Sequence, residues 1–298
     1  MDVADRDVQL PGGRVLRALE AGAAGAPAVI YFHSTPQSRL VHRPWLDALA
    51  AAGIGVLSWD RPGYGGSTPQ PGRQVADVAA DAVAVADAAG LGQFAVWGVG
   101  GGGPHALACA AMLPDRVLAA AVVEPVAPVD AAGLDWSAGM AAGNVEEFTL
   151  ALAGRGKLAS ALAQATGQLA AVNAEQVADV FGAGLPARDR EVLSSPQVAA
   201  FLLACLREGL TAGPEGWIED DLAFVAPWGV DLAGTRVPVT LWHGQQDWPT
   251  PASHARWLAD TIPDAELRLV AEEGALSVIF RHASEVIGWL SAHLPNRR

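Results

Sequence analysis

Cysteine is scarce in this 298-residue chain: Cys109 and Cys205 are the only two, too few for a disulfide framework and without the paired spacing of a zinc site. Basic residues are few as well. Nineteen Lys and Arg stand against 32 Asp and Glu, a formal net charge of −13, which excludes a basic nucleic-acid-binding face. There is no uncharged, strongly apolar run on the order of 18 residues, and the opening MDVADRDVQLPGG lacks the apolar core of a secretory signal. The reading is a cytoplasmic protein with no membrane partner, monomeric or homodimeric. Charged residues reach only 17% against 51% apolar ones, so a large core can be buried and disorder is excluded as the dominant state.

What is present is an alternation. Val3 to Leu10 and Val15 to Glu20 flank Pro11-Gly12-Gly13 and read as a β-hairpin. Short apolar runs follow at Ala28 to His33, Gly55 to Trp59, Phe94 to Val99, Val117 to Val123, Val239 to Trp242 and Leu267 to Val270, each with the length of a strand buried on both faces. Helical stretches such as Gln74 to Ala89 and Pro104 to Leu113 lie between them and end at Gly90 and Pro114. The expected fold class is α/β, a mostly parallel central sheet flanked by helices. Residues 128–228 break the alternation with helical patterns alone, so the expected organisation is a core of 1–127 and 229–298 carrying a helical cap of 128–228. Inserted between two strands, that cap should roof the carboxyl edge of the sheet, where open α/β folds bind ligands.

The chemistry-bearing segments sit at strand ends. Phe94 to Gly102 reads FAVWGVGGG, a strand entering a sharp glycine turn before a helix, which is the setting of the nucleophile elbow G-x-S-x-G. In that frame, Gly98-Val99-Gly100-Gly101-Gly102, the central residue is Gly100. Tyr31-Phe32-His33-Ser34-Thr35-Pro36 resembles the HGxP oxyanion loop of the α/β-hydrolases, with Ser34 where glycine is usual. Asp60-Arg61-Pro62-Gly63-Tyr64-Gly65-Gly66-Ser67 resembles the DRPGYGxS turn of that family, and Trp242-His243-Gly244-Gln245-Gln246-Asp247 resembles the strand and turn that deliver its triad acid.

The resemblance covers nearly the whole chain and implies the α/β-hydrolase fold, with Asp247 as the triad acid. It also puts Ala275, in Glu273-Gly274-Ala275-Leu276-Ser277, at the histidine position. Neither glycine nor alanine can attack a carbonyl or carry a proton, so no serine-esterase turnover is expected. The oxyanion hole of the fold is built from backbone N–H groups, here those of Thr35 and Gly101, and survives the loss of side chains. His33 and Ser34 in the same loop, and Trp136 at the cap entrance, complete the expected ligand-binding set; His33, His105 and His243 also read as structural. Glu124 ends the strand after the elbow, where the haloalkane-dehalogenase branch carries a catalytic carboxylate, and could work with Asp247 as an acid–base pair.

Trp136, Phe148, Phe181, Trp217 and Trp228 lie in or beside the cap; several indoles are expected to line an apolar pocket between cap and sheet, and at least half of these aromatics to hold the cap onto the body. The acidic run Glu219-Asp220-Asp221 reads as solvated surface. No metal, nucleotide or flavin motif occurs, so no cofactor is expected and the partner is an apolar small molecule. Three functions remain open: carboxylate-driven non-hydrolytic chemistry (cyclisation, dehydration or lyase-type proton transfer), an ester or lactone hydrolase carrying inactivating substitutions at Gly100 and Ala275, and a non-enzymatic ligand-binding protein.

Overall fold

The computed structural model describes residues 1–177 and 184–295, so Phe181 lies outside the described residues. Eight strands form one sheet in the order β1-β2-β4-β3-β5-β6-β7-β8. They are β1 (Val3–Gln9), β2 (Val15–Ala21), β3 (Ala28–Phe32), β4 (Gly55–Trp59), β5 (Phe94–Val99), β6 (Val117–Val123), β7 (Val239–Gly244) and β8 (Glu266–Val270). The hairpin β1–β2 and the β2–β4 pair are antiparallel, and from β4 to β8 every neighbour is parallel.

The strand alternation sorts the core into two layers, because successive side chains leave a strand on opposite faces. Ile30, Phe32 and Val96 point into one layer, beneath α2 (Val78–Ala88), α3 (Gly102–Met112) and α9 (Ser253–Thr261). Val29, Tyr31 and Trp97 point into the other, beneath α1 (Arg43–Ala51) and α11 (Ala283–His293). Burial of β3, β4 and β5 on both faces is why these segments read as unbroken apolar runs. Gly98 in β5 sets how closely α3 packs: a Cβ there would lie 2.6 Å from the Gly102 carbonyl oxygen and 2.7 Å from the Ala106 methyl.

Between β6 and β7 the described elements are helical: α4 (Ala142–Leu152), α5 (Arg155–Ala171), α6 (Ala187–Leu193), α7 (Pro196–Gly209) and α8 (Glu215–Phe224). The acidic run on α8 is not surface. Glu219, Asp220 and Asp221 are all buried, because Arg61 and Arg73 from the core meet Asp220 and Arg155 meets Glu219. The remaining helix, α10 (Ala275–Arg281), follows β8. Among the described residues no helix is long and apolar enough to cross a membrane.

Candidate functional site

The parallel strands β3, β5 and β6 deliver Ser34, Gly100 and Glu124 from their carboxyl ends, and the helices between β6 and β7 stand over them. Together they enclose a cavity of about 860 Å³. At one end its wall is formed by Ser34, Thr35, Gly100, Gly101, Glu124 and Ala275.

Gly100 follows β5 with φ +52°, in the left-handed region that side chains avoid. A Cβ built there would overlap Ser34 Oγ and lie 3.3 Å from Glu124 Oε2. Two polar groups thus converge on the space a side chain at position 100 would use. Thr35 is fixed from behind: its Oγ1 donates to Asp220 Oδ2 at 2.6 Å and accepts from Arg61 Nη2 at 3.0 Å. Among the described residues, the backbone N–H groups of Thr35 and Gly101 are paired with no protein acceptor.

Asp220 is the hub of this support. Besides Thr35 it accepts from Tyr64 Oη at 2.7 Å, from Arg61 Nη2 at 2.6 Å and from Arg73. Burial alone would raise its carboxyl, but the two guanidinium groups hold it well below the usual range. His33 and His105 complete the cluster as neutral rings. Arg61 N–H donates to His33 Nε2, and burial followed by Arg61 keeps both imidazoles well below their usual range, His105 at about 3.

Glu124 is buried and, among the described residues, one of two non-glycine residues at positive φ, 58°. Burial comes first, then the Asp247 and Asp189 carboxylates, in pushing its carboxyl well above the usual range. Asp247 is coupled to it electrostatically but does not line the cavity. Its Oδ1 accepts from Thr250 N–H at 2.9 Å, its Oδ2 lies 3.2 Å from His243 Nε2, and burial raises its carboxyl while His243 offsets part of the rise.

Two expectations about ligand contact need correction. His33, in the loop after β3, is fully buried and does not line the cavity. Trp136 is turned away: its Nε1 donates to the Ala127 carbonyl at 2.7 Å and its ring packs on Phe148 and His254. Trp228 is likewise core, whereas Phe148 and Trp217 do line the cavity.

The sequence reading missed Asp189. It comes from α6, is fully buried, lines the cavity, and accepts from Ser277 N–H at 2.8 Å while its Oδ2 has no partner among the described residues. A Cβ at Gly274 would overlap that oxygen, so Asp189 occupies the space beside Ala275. Glu147 and Asp221 were missed too, and both line the cavity. No local motif marks these acids; only the order in which helices pack brings them inward. Among the described residues no group of three or more His, Cys, Asp or Glu is arranged to hold a metal.

A family model described as alpha/beta hydrolase fold matches residues 27–281. Over 85 residues the chain is 41% identical to epoxide hydrolase A of Mycobacterium tuberculosis, a match spanning 28% of this chain and only 26% of that relative. Among solved structures, epoxide hydrolase A from Mycobacterium thermoresistibile superposes with a TM-score of 0.66 at 20% identity, covering 99% of this chain and 100% of that one. The enol-lactonase from Burkholderia xenovorans LB400 gives 0.64 at 20% identity over 95% and 97%. Bromoperoxidase from Bacillus anthracis gives 0.68 at 17% over 97% and 98%. At these identities the structural likeness speaks to the fold.

Proposed function

The chain belongs to the alpha/beta hydrolase fold family, and from that premise we propose that it is a small-molecule hydrolase of the ester, lactone or epoxide class whose nucleophile and histidine positions are held by Gly100 and Ala275. The observation that carries this reading is the cavity end itself. A reactant seated against Gly100 meets two backbone N–H groups without protein acceptors, a serine hydroxyl and a buried carboxyl. The names of the relatives, epoxide hydrolase and enol-lactonase, favour hydrolysis over cyclisation, dehydration or lyase chemistry.

With no side chain at position 100 there is no acyl-enzyme or alkyl-enzyme, and with alanine at 275 no imidazole relays the proton. What remains is binding, oxyanion stabilisation and carboxyl acid–base chemistry. Glu124, whose carboxyl burial and the Asp247 and Asp189 carboxylates push well above the usual range, can give its proton to a leaving oxygen; once ionised it can take one from an attacking water. This supports slow, water-driven turnover at most.

A second reading, ligand binding without turnover, draws on Ser34: its hydroxyl fills the room a nucleophile would need, so the wall is shaped around a glycine.

The test is repair. The Ser34→Gly, Gly100→Ser, Ala275→His triple variant is assayed against aryl esters, lactones and styrene-type epoxides beside the unaltered chain. At least about a thousandfold gain in ester or lactone cleavage is expected, since triad removal in such enzymes costs more than that. No gain in a folded variant overturns the hydrolase reading and leaves the binding one.

A further inference from the structure

The cavity wall contains a second feature that hydrolysis at Gly100 does not use. Its described lining includes four acids, Glu124, Glu147, Asp189 and Asp221, and no Lys, Arg or His. Two of them, Glu147 on α4 and Asp221 on α8, lie within side-chain hydrogen-bonding reach of each other. Trp217 Nε1 donates to Glu147 Oε1 at 2.7 Å, and Phe148 and Phe224 lie on the same two helices and on the same cavity wall. Asp221 is 1% exposed, and its Oδ2 has no hydrogen-bond partner among the described residues.

Among the described residues no Lys or Arg forms an ion pair with either member. Arg61 and Arg73 are both committed to Asp220, on the side of α8 that faces the core loops. A buried carboxylate without a direct counter-charge is costly, and burial together with the Glu147 carboxyl pushes Asp221 well above the usual range, which favours a proton held between the two. An organic cation could replace the proton and would gain the faces of the indole and the two phenyl rings.

We propose that α4 and α8 form a subsite for the ammonium group of an amine-bearing substrate, held by Glu147 and Asp221 against Trp217, Phe148 and Phe224. The inference rests on the hydrolase reading only in placing the reacting group of that substrate at Gly100; the subsite is defined by its own residues. The ligand is therefore an amphipathic organic cation, not the purely apolar molecule suggested by composition. Binding is coupled to release of a proton from the Glu147–Asp221 pair to solvent. The other charged groups facing Asp221 are Asp220, which disfavours its ionisation, and Arg73, which favours it.

The experiment uses three matched probes, 4-phenylbutylamine, 4-phenylbutan-1-ol and 4-phenylbutyrate, titrated calorimetrically into the full chain between pH 6 and 8. At pH 8 the amine is expected to bind roughly tenfold or more tighter than the alcohol, with the carboxylate weakest. Its affinity should rise with pH while that of the alcohol stays level, and its heat should vary with the ionisation enthalpy of the buffer as a proton leaves. In Glu147→Gln with Asp221→Asn the amine preference should vanish while alcohol binding persists; Glu147→Gln alone serves if the double variant does not fold.

Equal affinity for amine and alcohol overturns the proposal. A preference that survives in the variants overturns it as well, since the cation then sits elsewhere. Absence of all binding also overturns it, while the ester assay on the repaired variant still decides the hydrolase reading separately.

Discussion

Gly100 and Ser34 are a matched pair, and each constrains what can be done to the other. A side chain at Gly100 must adopt φ near +52° and displace the Ser34 hydroxyl. Gly100→Ser alone should therefore cost about 1–3 kcal/mol of stability, and adding Ser34→Gly should recover part of the loss. Urea midpoints of the two variants check this directly. His254 is a second residue with a definite prediction. Its Nδ1 accepts from Ala127 N–H at 3.0 Å, its Nε2 is 2.9 Å from the Trp136 carbonyl oxygen, and burial lowers its pKa to about 4. The ring must stay neutral in the folded state. Its contribution is thus complete above its unfolded value near 6.5 and is lost as pH falls from there towards about 4, a change of about 3 kcal/mol. Compared with His254→Gln, the unaltered chain should hold a stability advantage at pH 7.5 that shrinks at pH 4.5.

At the level of elements, α8 carries the largest surprise. Three consecutive acids read as a solvated helix face, yet all three are buried. The partners of Asp220 and Glu219, namely Arg61, Arg73 and Arg155, stand far away in the chain and have no spacing that marks them as partners. Asp220→Ala would leave two guanidinium groups buried without their carboxylate, and a loss of about 3–5 kcal/mol is expected in chemical denaturation. The strands were legible because a parallel sheet buried on both faces leaves short apolar runs: β4, β5 and β6 match the runs at Gly55, Phe94 and Val117 residue for residue. The glycine turn at Gly100 was legible because a tight backbone turn restricts residue type locally. Asp189, Glu147 and Asp221 were not, since each reaches the cavity only through helix-on-helix packing. Trp136 misled for the converse reason: its composition signal is that of a pocket aromatic, while its indole N–H is spent on the Ala127 carbonyl.

For the molecule as a whole, the two thiols report on cooperativity. Cys109 on α3 and Cys205 on α7 are both free and fully buried, and burial raises both thiols above their usual range. One lies in the sheet-packed core and the other among the helices between β6 and β7. If the two regions open as a unit, a neutral thiol reagent should label both at one common rate that follows global unfolding across a denaturant series. Faster labelling of Cys205 would mean that those helices open on their own.

The charge cluster around Asp220 sets how any such opening can proceed. It rivets α8 to two separate connections of the core at once, through Thr35 after β3 and through Arg61, Tyr64 and Arg73 after β4. Swinging that helix outward would strand one anion and two cations away from both water and each other. The doorway for incoming molecules must consequently be cut on another side of the roof, with α8 as the fixed jamb.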